Sequence, residues 1–451
     1  SSMDQNMGTV EELRTFVNAC HSKGIRVIMD IVMNHVGYNN TQDMVTFKHG
    51  YTAHTDGWLE KALNPDTGKT EWYANDTVKW DKSYWDDSWF GPWIRSFGYA
   101  TGSEYGGSCG GLPDVKTELT SSVGIAPVHN KKWNSVDTAE YKASYYNPSV
   151  DDTDWLSVNG NYRTDMKVAP ADYQVAWLSA WVREVGIDGF RCDTAKHVEP
   201  FRWGQLKDAC TAALEAWRND SSKSKLYNGK DTGAADWDES FWMTGECFGW
   251  TAIGGSGGAY YGTGKFDSMI NFSYNGSQGG GTSSSYPSSS DWDTYLSINT
   301  AKKDDDNNGN LNNVLTYLSS HDTKLCRPSD AIEQGTMFTL LPGGIQIYYG
   351  DESSRPQAYL GCGDTDMMTR GDMNWDEIEG SKKAQVAHWG KVGNFRKYNP
   401  AVGAGVGSGT KRTYSGAAGE NKVAIGIDGA SVDVSGLFAD GTTVYNWYDG
   451  T

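Results

Sequence analysis

The sequence predicts an α/β fold: a parallel sheet wrapped by helices, interrupted once by an irregular segment and followed by a small antiparallel β region. Three observations predict it. Apolar runs of strand length alternate with stretches of helical period. Residues 36–165 are rich in Gly, Asn, Asp, Thr and aromatics and carry no long helical period. From about residue 401, Gly, Val and Thr alternate in short runs.

The elements follow in order. Thr9–Glu12 has the T-x-x-E pattern of a capping box ahead of Leu13, Phe16, Val17 and Cys20, so a helix starts there and stops at Gly24. Ile25–Val32, IRVIMDIV, reads as a strand buried on both faces. After the irregular segment come a helix at about 171–185, the strand IDGFRCD, a helix at about 199–218 and the strand FWMTGE at 241–246. Then follow a short strand at 266–272, a helix near 291–302, a strand at 313–320, a helix at 329–341, the strand GIQIYYG at 344–350 and a helix at 383–397. The Ser/Gly-rich tracts at 254–264 and 276–290 read as loops or lids. Six β/α units fit a (β/α)8 barrel, a TIM barrel, lacking two. The expected domains are 1–35 (first part of the barrel), 36–165 (insertion), 166–398 (rest of the barrel) and 399–451 (C-terminal β domain).

Composition narrows the function. Acidic residues number 57 against 39 basic, a net charge of −18, which argues against a nucleic-acid partner and an anionic membrane surface. No apolar run is long enough to span a bilayer, and residues 1–8 lack the basic and apolar regions of a signal peptide. Seven cysteines cannot all pair within the chain, and none has zinc-site spacing. Cys192 and Cys247 read as small core residues, whereas Cys326 and Cys362 fall in loops and are a possible pair.

A barrel carries its active site at the carboxyl ends of its strands. Four strands here end in charged or polar residues: Asp30, Asn34 and His35; Arg191, Asp193, Lys196 and His197; Glu246; and His321 with Asp322. Each alone could be a capped loop residue. Together they are expensive to bury unless they pair or do chemistry. Alternation puts Arg191 and Asp193 on one face, where the cation holds the carboxylate ionised, as a nucleophile needs. Apolar FWMTG ahead of Glu246 predicts a partly desolvated carboxyl with a raised pKa, as a general acid needs. One ionised and one protonated carboxyl group is the glycosidase arrangement. The motifs of phosphate loops, G-x-S-x-G hydrolases and H-E-x-x-H zincins are absent from the sequence.

At these residues the sequence resembles glycoside hydrolase family 13, the α-amylase family. DIVMNH (30–35), LPDVKTE (112–118), GFRCDTAKH (189–197), GEC (245–247) and SSHD (319–322) resemble its conserved regions, in the family's order. GIQIYYGDE resembles the end of its eighth strand, and HVE, LSSHDT and GDESSRP look closest to periplasmic, maltodextrin-directed bacterial members. The resemblance runs from about residue 4 to 400. It implies Asp193 as nucleophile, Glu246 as general acid/base and Asp322 as transition-state stabiliser in retaining hydrolysis of α-1,4-glucans. It also implies substrate contacts from His35, Arg191, Lys196, His197 and His321, with Arg191 paired to Asp30. A structural Ca²⁺ is implied on Asn34, Asp114 and the His197 carbonyl, hard oxygen ligands that suit calcium. The further expectations are a monomer with an α-glucan partner, extracellular or periplasmic. The alternatives are a transglycosylase on the same intermediate and a non-catalytic glucan-binding homologue, although such relatives generally lose the carboxylates.

Other features of the sequence lie beside the resemblance. DDDNNG (304–309) starts like an EF-hand loop but has Leu315 at its twelfth position, so it reads as solvated. Ser320 stands where chloride-dependent members carry Asn, so no chloride activator is expected. The aromatics of residues 72–99 read mainly as core, with one or two exposed Trp left for sugar stacking. Relative to the family, the first two barrel strands are missing, the terminal domain is short, and Ile345 replaces a proline.

Overall fold

A computed structural model describes residues 7–36, 59–63, 70–74, 91–98, 111–124, 167–224, 226–227, 229–252, 258–274, 287–301, 314–358 and 365–450. Much of the expected insertion, the DDDNNG loop and Cys362 therefore lie outside the described residues. The chain divides into two units, residues 1–246 with 263–266, and residues 247–262 with 267–451.

In the first unit the capping box forms as predicted. Thr9 Oγ1 accepts the Glu12 amide at 3.1 Å, and Glu12 Oε2 accepts the Thr9 amide at 2.8 Å. These bonds satisfy two of the orphan donors that start helix α1, Val10–His21. Strand β1, Ile28–Val32, follows. The irregular segment contributes the hairpin β2 (Leu59–Leu63) and β3 (Thr70–Ala74), and the antiparallel pair β4 (Ile94–Gly98) and β5 (Gly111–Val115). It also supplies the two-residue strands β6 (Val123–Gly124) and β7 (Lys167–Val168). Helix α2 (Pro170–Val185) begins at a proline and ends at Gly186, a left-handed cap with φ 82°. Strand β8 (Gly189–Asp193), helix α3 (Pro200–Asn219), the hairpin β9 (Leu226–Tyr227) and β10 (Lys230–Asp231), and β11 (Trp242–Gly245) complete the unit.

β1, β8 and β11 are parallel and run in that spatial order. Helix-linked parallel strands are the predicted β/α units. Phe190, Cys192, Phe241 and Met243 point into the core with at most 0% exposure, and the rings of Phe190 and Phe241 meet edge to face at 4.9 Å. Each such ring contributes about 2–3 kcal/mol by leaving water. One expectation needs correction. β1 is not buried on both faces: Ile28 is 40% and Val32 38% exposed. It is the outermost of the three strands, so no described strand covers its free side.

The second unit holds α4 (Gly258–Tyr261), β12 (Ser268–Asn271), α5 (Ser289–Ala301), β13 (Val314–Tyr317), α6 (Ala331–Thr339) and β14 (Gly344–Gln346). β12, β13 and β14 are again parallel neighbours. After them come α7 (Thr365–Thr369), α8 (Trp375–Glu379), α9 (Lys383–Tyr398) and the single turn α10 (Ala401–Ala404). An antiparallel sheet of β15 (Val406–Gly407), β16 (Lys411–Gly416) and β17 (Gly419–Ala424) follows. Val423 and Ile425 share one core cluster with Trp292, Phe338, Leu341 and Trp389, so the terminal sheet packs on the helices of its own unit. Two local expectations change: the tract 254–264 contains the turn α4, and the terminal region opens with α10 rather than a strand.

Candidate active site

In the first unit, parallel register fixes the charged strand ends. Asp30 lies beside Arg191, and Val32 beside Asp193. Arg191 Nη1 donates to Asp193 Oδ1 at 2.7 Å and to Asp30 Oδ1 at 3.0 Å. One guanidinium nitrogen thus bridges two carboxylates. Burial alone pulls the Arg191 guanidinium down, but Asp30, Asp193 and Glu246 outweigh it and raise its pKa. Arg191 is a permanent cation here.

Glu246 follows β11 directly and is only 4% exposed. Its amide donates to the Cys192 carbonyl at 2.9 Å, and its carbonyl accepts the Ala195 amide at 2.7 Å, so the sheet ladder continues past the strand ends. Its carboxylate Oε2 accepts the Thr194 amide at 2.8 Å. That amide is aimed at Glu246 because Thr194 turns left-handed, φ 48° and ψ 39°. The same turn starts the 3₁₀ helix Ala195–His197, which carries Lys196 and His197, both half-buried. Trp203 locks the turn by donating Nε1–H to the Ala195 carbonyl at 3.1 Å. His35 is half-buried at the end of the β1 segment. Burial lowers the pKa of its imidazole, against an opposing pull from Asp193 and with help from His197. Asp193, Glu246, Arg191, His35 and the Lys196–His197 turn are therefore gathered at one end of the β1–β8–β11 sheet.

The same end holds the predicted metal residues. The segment after β1 pairs with β5: the Val115 amide donates to the Asn34 carbonyl at 2.7 Å, and the Val36 amide to the Pro113 carbonyl at 3.0 Å. Asn34 and Asp114 are both 0% exposed. The end of the Asn34 carboxamide lies 2.7 Å from Asp114 Oδ1 and 3.2 Å from the His197 carbonyl oxygen. With its nitrogen turned in, Asn34 donates to both. With its oxygen turned in, the Asn34 carboxamide sets a hard oxygen beside the Asp114 carboxylate and beside the His197 carbonyl, oxygen donors that suit calcium. Among the described residues no three His, Cys, Asp or Glu side chains cluster for a metal. A cation here would rest on carboxamide and carbonyl oxygens beside the Asp114 carboxylate. The residues fit calcium.

Sequence reasoning missed Arg95, on β4. Its Nε donates to Asp114 Oδ2 at 2.8 Å, and Nη2 reaches the His197 carbonyl at 3.1 Å. Nothing in the local sequence distinguishes it from a surface arginine.

In the second unit, β13 leads through Ser319 and Ser320 to His321 and Asp322. His321 Nε2 lies 3.0 Å from Asp322 Oδ2, and Arg370 Nη2 donates to Asp322 Oδ1 at 3.0 Å. Thr369 donates to the His321 carbonyl at 2.6 Å. Behind them Ser319 donates to Asp351, which is buried just past β14, and accepts the Cys326 amide. Arg355, 2% exposed, donates to the carbonyls of Tyr349, Thr369 and Gly371 and so ties the β14 loop to the segment carrying Arg370. Arg370, Asp351 and Arg355 were not singled out from the sequence. Cys192 and Cys247 are buried core residues as read, and the Cys326 thiol points to the Arg327 carbonyl at 3.7 Å. Trp93 is core, 2% exposed, and bonds the Gly124 carbonyl.

Parallel β/α strands with their charged side chains at the carboxyl ends define a protein of the α/β-barrel class. Residues 1–99 match the family model described as the alpha amylase catalytic domain. The periplasmic alpha-amylase of Escherichia coli strain K12 is 37% identical over 417 residues, 90% of this chain and 54% of that protein. An alpha-amylase of Streptomyces lividans is 23% identical over 393 residues, 80% of this chain and 35% of that protein. A solved alpha-amylase from Geobacillus thermoleovorans, complexed with acarbose, aligns with a TM-score of 0.49 and 16% identity, over 91% of this chain and 67% of that one. By these matches the chain is similar to the alpha-amylase family, glycoside hydrolase family 13, along most of its length. It spans about half, or less, of the length of these curated relatives.

Proposed function

We propose that this protein is an endo-acting glycoside hydrolase that cleaves α-1,4-glucosidic bonds of starch, glycogen or maltodextrins with retention of configuration. The observation that carries the reading is the pairing of two carboxylates in different surroundings. Asp193 is held by the Arg191 cation, and Glu246 is buried against the Thr194 amide one residue further on. Asp193 attacks the anomeric carbon as an ionised nucleophile. Glu246 protonates the leaving glycosidic oxygen and later takes a proton from water. Asp322, oriented by His321 and Arg370, binds hydroxyls of the distorted sugar as the third carboxylate. His35, His321, Lys196 and His197 contact the sugars flanking the bond. Retention requires the two reacting carboxyl groups to lie about 5 Å apart.

Asn34, Asp114 and the His197 carbonyl would hold a calcium ion, which would supply structural charge between β5 and the turn after β8. The protein is exported, to the periplasm or beyond, and acts as a monomer. Among the described residues no helix is long and apolar enough to cross a membrane, and the Escherichia coli relative is named a periplasmic protein.

Turnover of a defined maltooligosaccharide by Asp193→Asn tests the reading. Hydrolysis should fall by on the order of 10⁴-fold or more while glucan affinity persists. Full activity in that variant, or a first product of inverted anomeric configuration by NMR, would overturn it.

A further inference from the structure

The oxygen cluster that suits calcium is already engaged by a cation of the chain's own. Arg95 makes a fork on Asp114, Nε to Oδ2 at 2.8 Å and Nη2 to Oδ1 at 3.3 Å. Nη2 also serves the His197 carbonyl at 3.1 Å. Nη1 reaches Glu199 at 3.0 Å and Glu118 at 3.3 Å. Glu199 is in turn held by Thr117 Oγ1 at 2.6 Å. The Arg95 side chain is 14% exposed and Asp114 is 0% exposed, so the pair is shielded from water. A planar guanidinium suits this role because its fork matches a carboxylate and leaves a spare edge for carbonyls.

Arg95 thus links β4, β5, the turn after β8 and the start of α3. These are the elements a calcium ion on Asn34, Asp114 and the His197 carbonyl would join. The charges do not cancel: Asp114, Glu118 and Glu199 face one arginine, which leaves attraction for a further cation. The Asn34 carboxamide can present either end to Asp114 and His197. Its nitrogen completes the metal-free arrangement, and its oxygen completes a metal-bound one.

We propose that Arg95 is a resident cation of this site: it keeps Asp114 and the His197 turn assembled without metal, so calcium adds to a formed site and does not build it. The inference rests on the calcium reading only for the identity of the second cation.

The test compares thermal unfolding of the whole chain and of Arg95→Met, each with excess calcium and with a chelator. The unaltered protein should lose less than about 3 °C on chelation, and Arg95→Met about 10 °C or more, because one of two cations remains in the first case and none in the second. A variant that merely packs badly would be less stable by the same amount in both conditions. Equal chelation losses in the two proteins would overturn the inference alone. No response to calcium in either protein would overturn it together with the calcium reading. Should Arg95→Met fail to fold even with calcium, hydrogen exchange of residues 111–117 in the unaltered protein decides. Unchanged protection on chelation supports the resident cation, and lost protection overturns it.

Discussion

The carboxylates at the two strand ends are held in opposite ways. In the first unit Asp193 is clamped by Arg191 from its own strand, and Glu246 by a backbone amide from the adjacent turn. Both restraints come from β8 and the turn that directly follows it. In the second unit Asp322 is held by its neighbour His321 and by Arg370, which arrives from a loop and has a half-exposed side chain. Behind it lies a buried relay, Ser319 to Asp351, and a buried arginine, Arg355, that braces loop against loop. The two carboxylates are similarly exposed, Asp193 at 21% and Asp322 at 27%, but their arginines are not: Arg191 is 13% exposed and Arg370 50%. The lesson is that a carboxylate at a strand end can be held by its own strand or by a loop.

Arginine truncations measure that difference. Arg191 is 13% exposed at its side chain and bridges two carboxylates, so Arg191→Met should lower kcat/KM by roughly 10³-fold, since Asp193 loses the cation that holds it in place. Arg370 is 50% exposed at its side chain, so Arg370→Met should cost about 5- to 10-fold. Equal losses in steady-state kinetics on one substrate would erase the contrast.

A smaller effect is expected in stability. Gly350, just ahead of Asp351, has φ 89°, and a Cβ there would sit 2.4 Å from the Arg355 Cβ. Gly350→Ala should therefore destabilise by roughly 1–3 kcal/mol in denaturant unfolding, while leaving the first unit's strand end intact. An unchanged midpoint would mean that the loop brace is not rigid.

The same loop should also show a pH dependence. Burial raises the Asp351 carboxyl from its ordinary 3.8 to about 7, against the lowering effect of its bonds to Ser319 and the Tyr348 amide. Unfolded Asp351 ionises first, so its contribution to stability is fully present below about pH 4. It declines as pH rises and is gone once pH passes the folded value near 7. The decline should amount to roughly 4 kcal/mol, and Asp351→Asn should flatten it. A parallel pH profile in the variant would remove Asp351 from the buried relay.

How legible each part was follows the same division. Strand alternation put Arg191 and Asp193 on one face, and their 2.7 Å bond realises it. Asn34 and Asp114, 80 positions apart in sequence, came together only through motif resemblance, since no local pattern links them. Arg95 and Arg370 could not be read at all, and Asp351 entered only as part of the GIQIYYGDE motif. The partners of the two arginines are carbonyls or carboxylates on other elements, and a local sequence carries no sign of where a guanidinium fork points. The apolar run Ile28–Val32 misled for a related reason. Hydrophobicity marks a strand, but the neighbours that strand receives decide how much of it is covered.

The left-handed turn at Thr194 makes one peptide group a natural reporter. Its amide hydrogen ends on the Glu246 carboxylate at 2.8 Å, while the preceding residue is Asp193. Any event that changes the charge on that carboxylate alters the polarisation of this single N–H. In an isotope-labelled sample, the Thr194 amide resonance would follow proton movement at Glu246 directly, without a substrate, a dye or a substitution in the site.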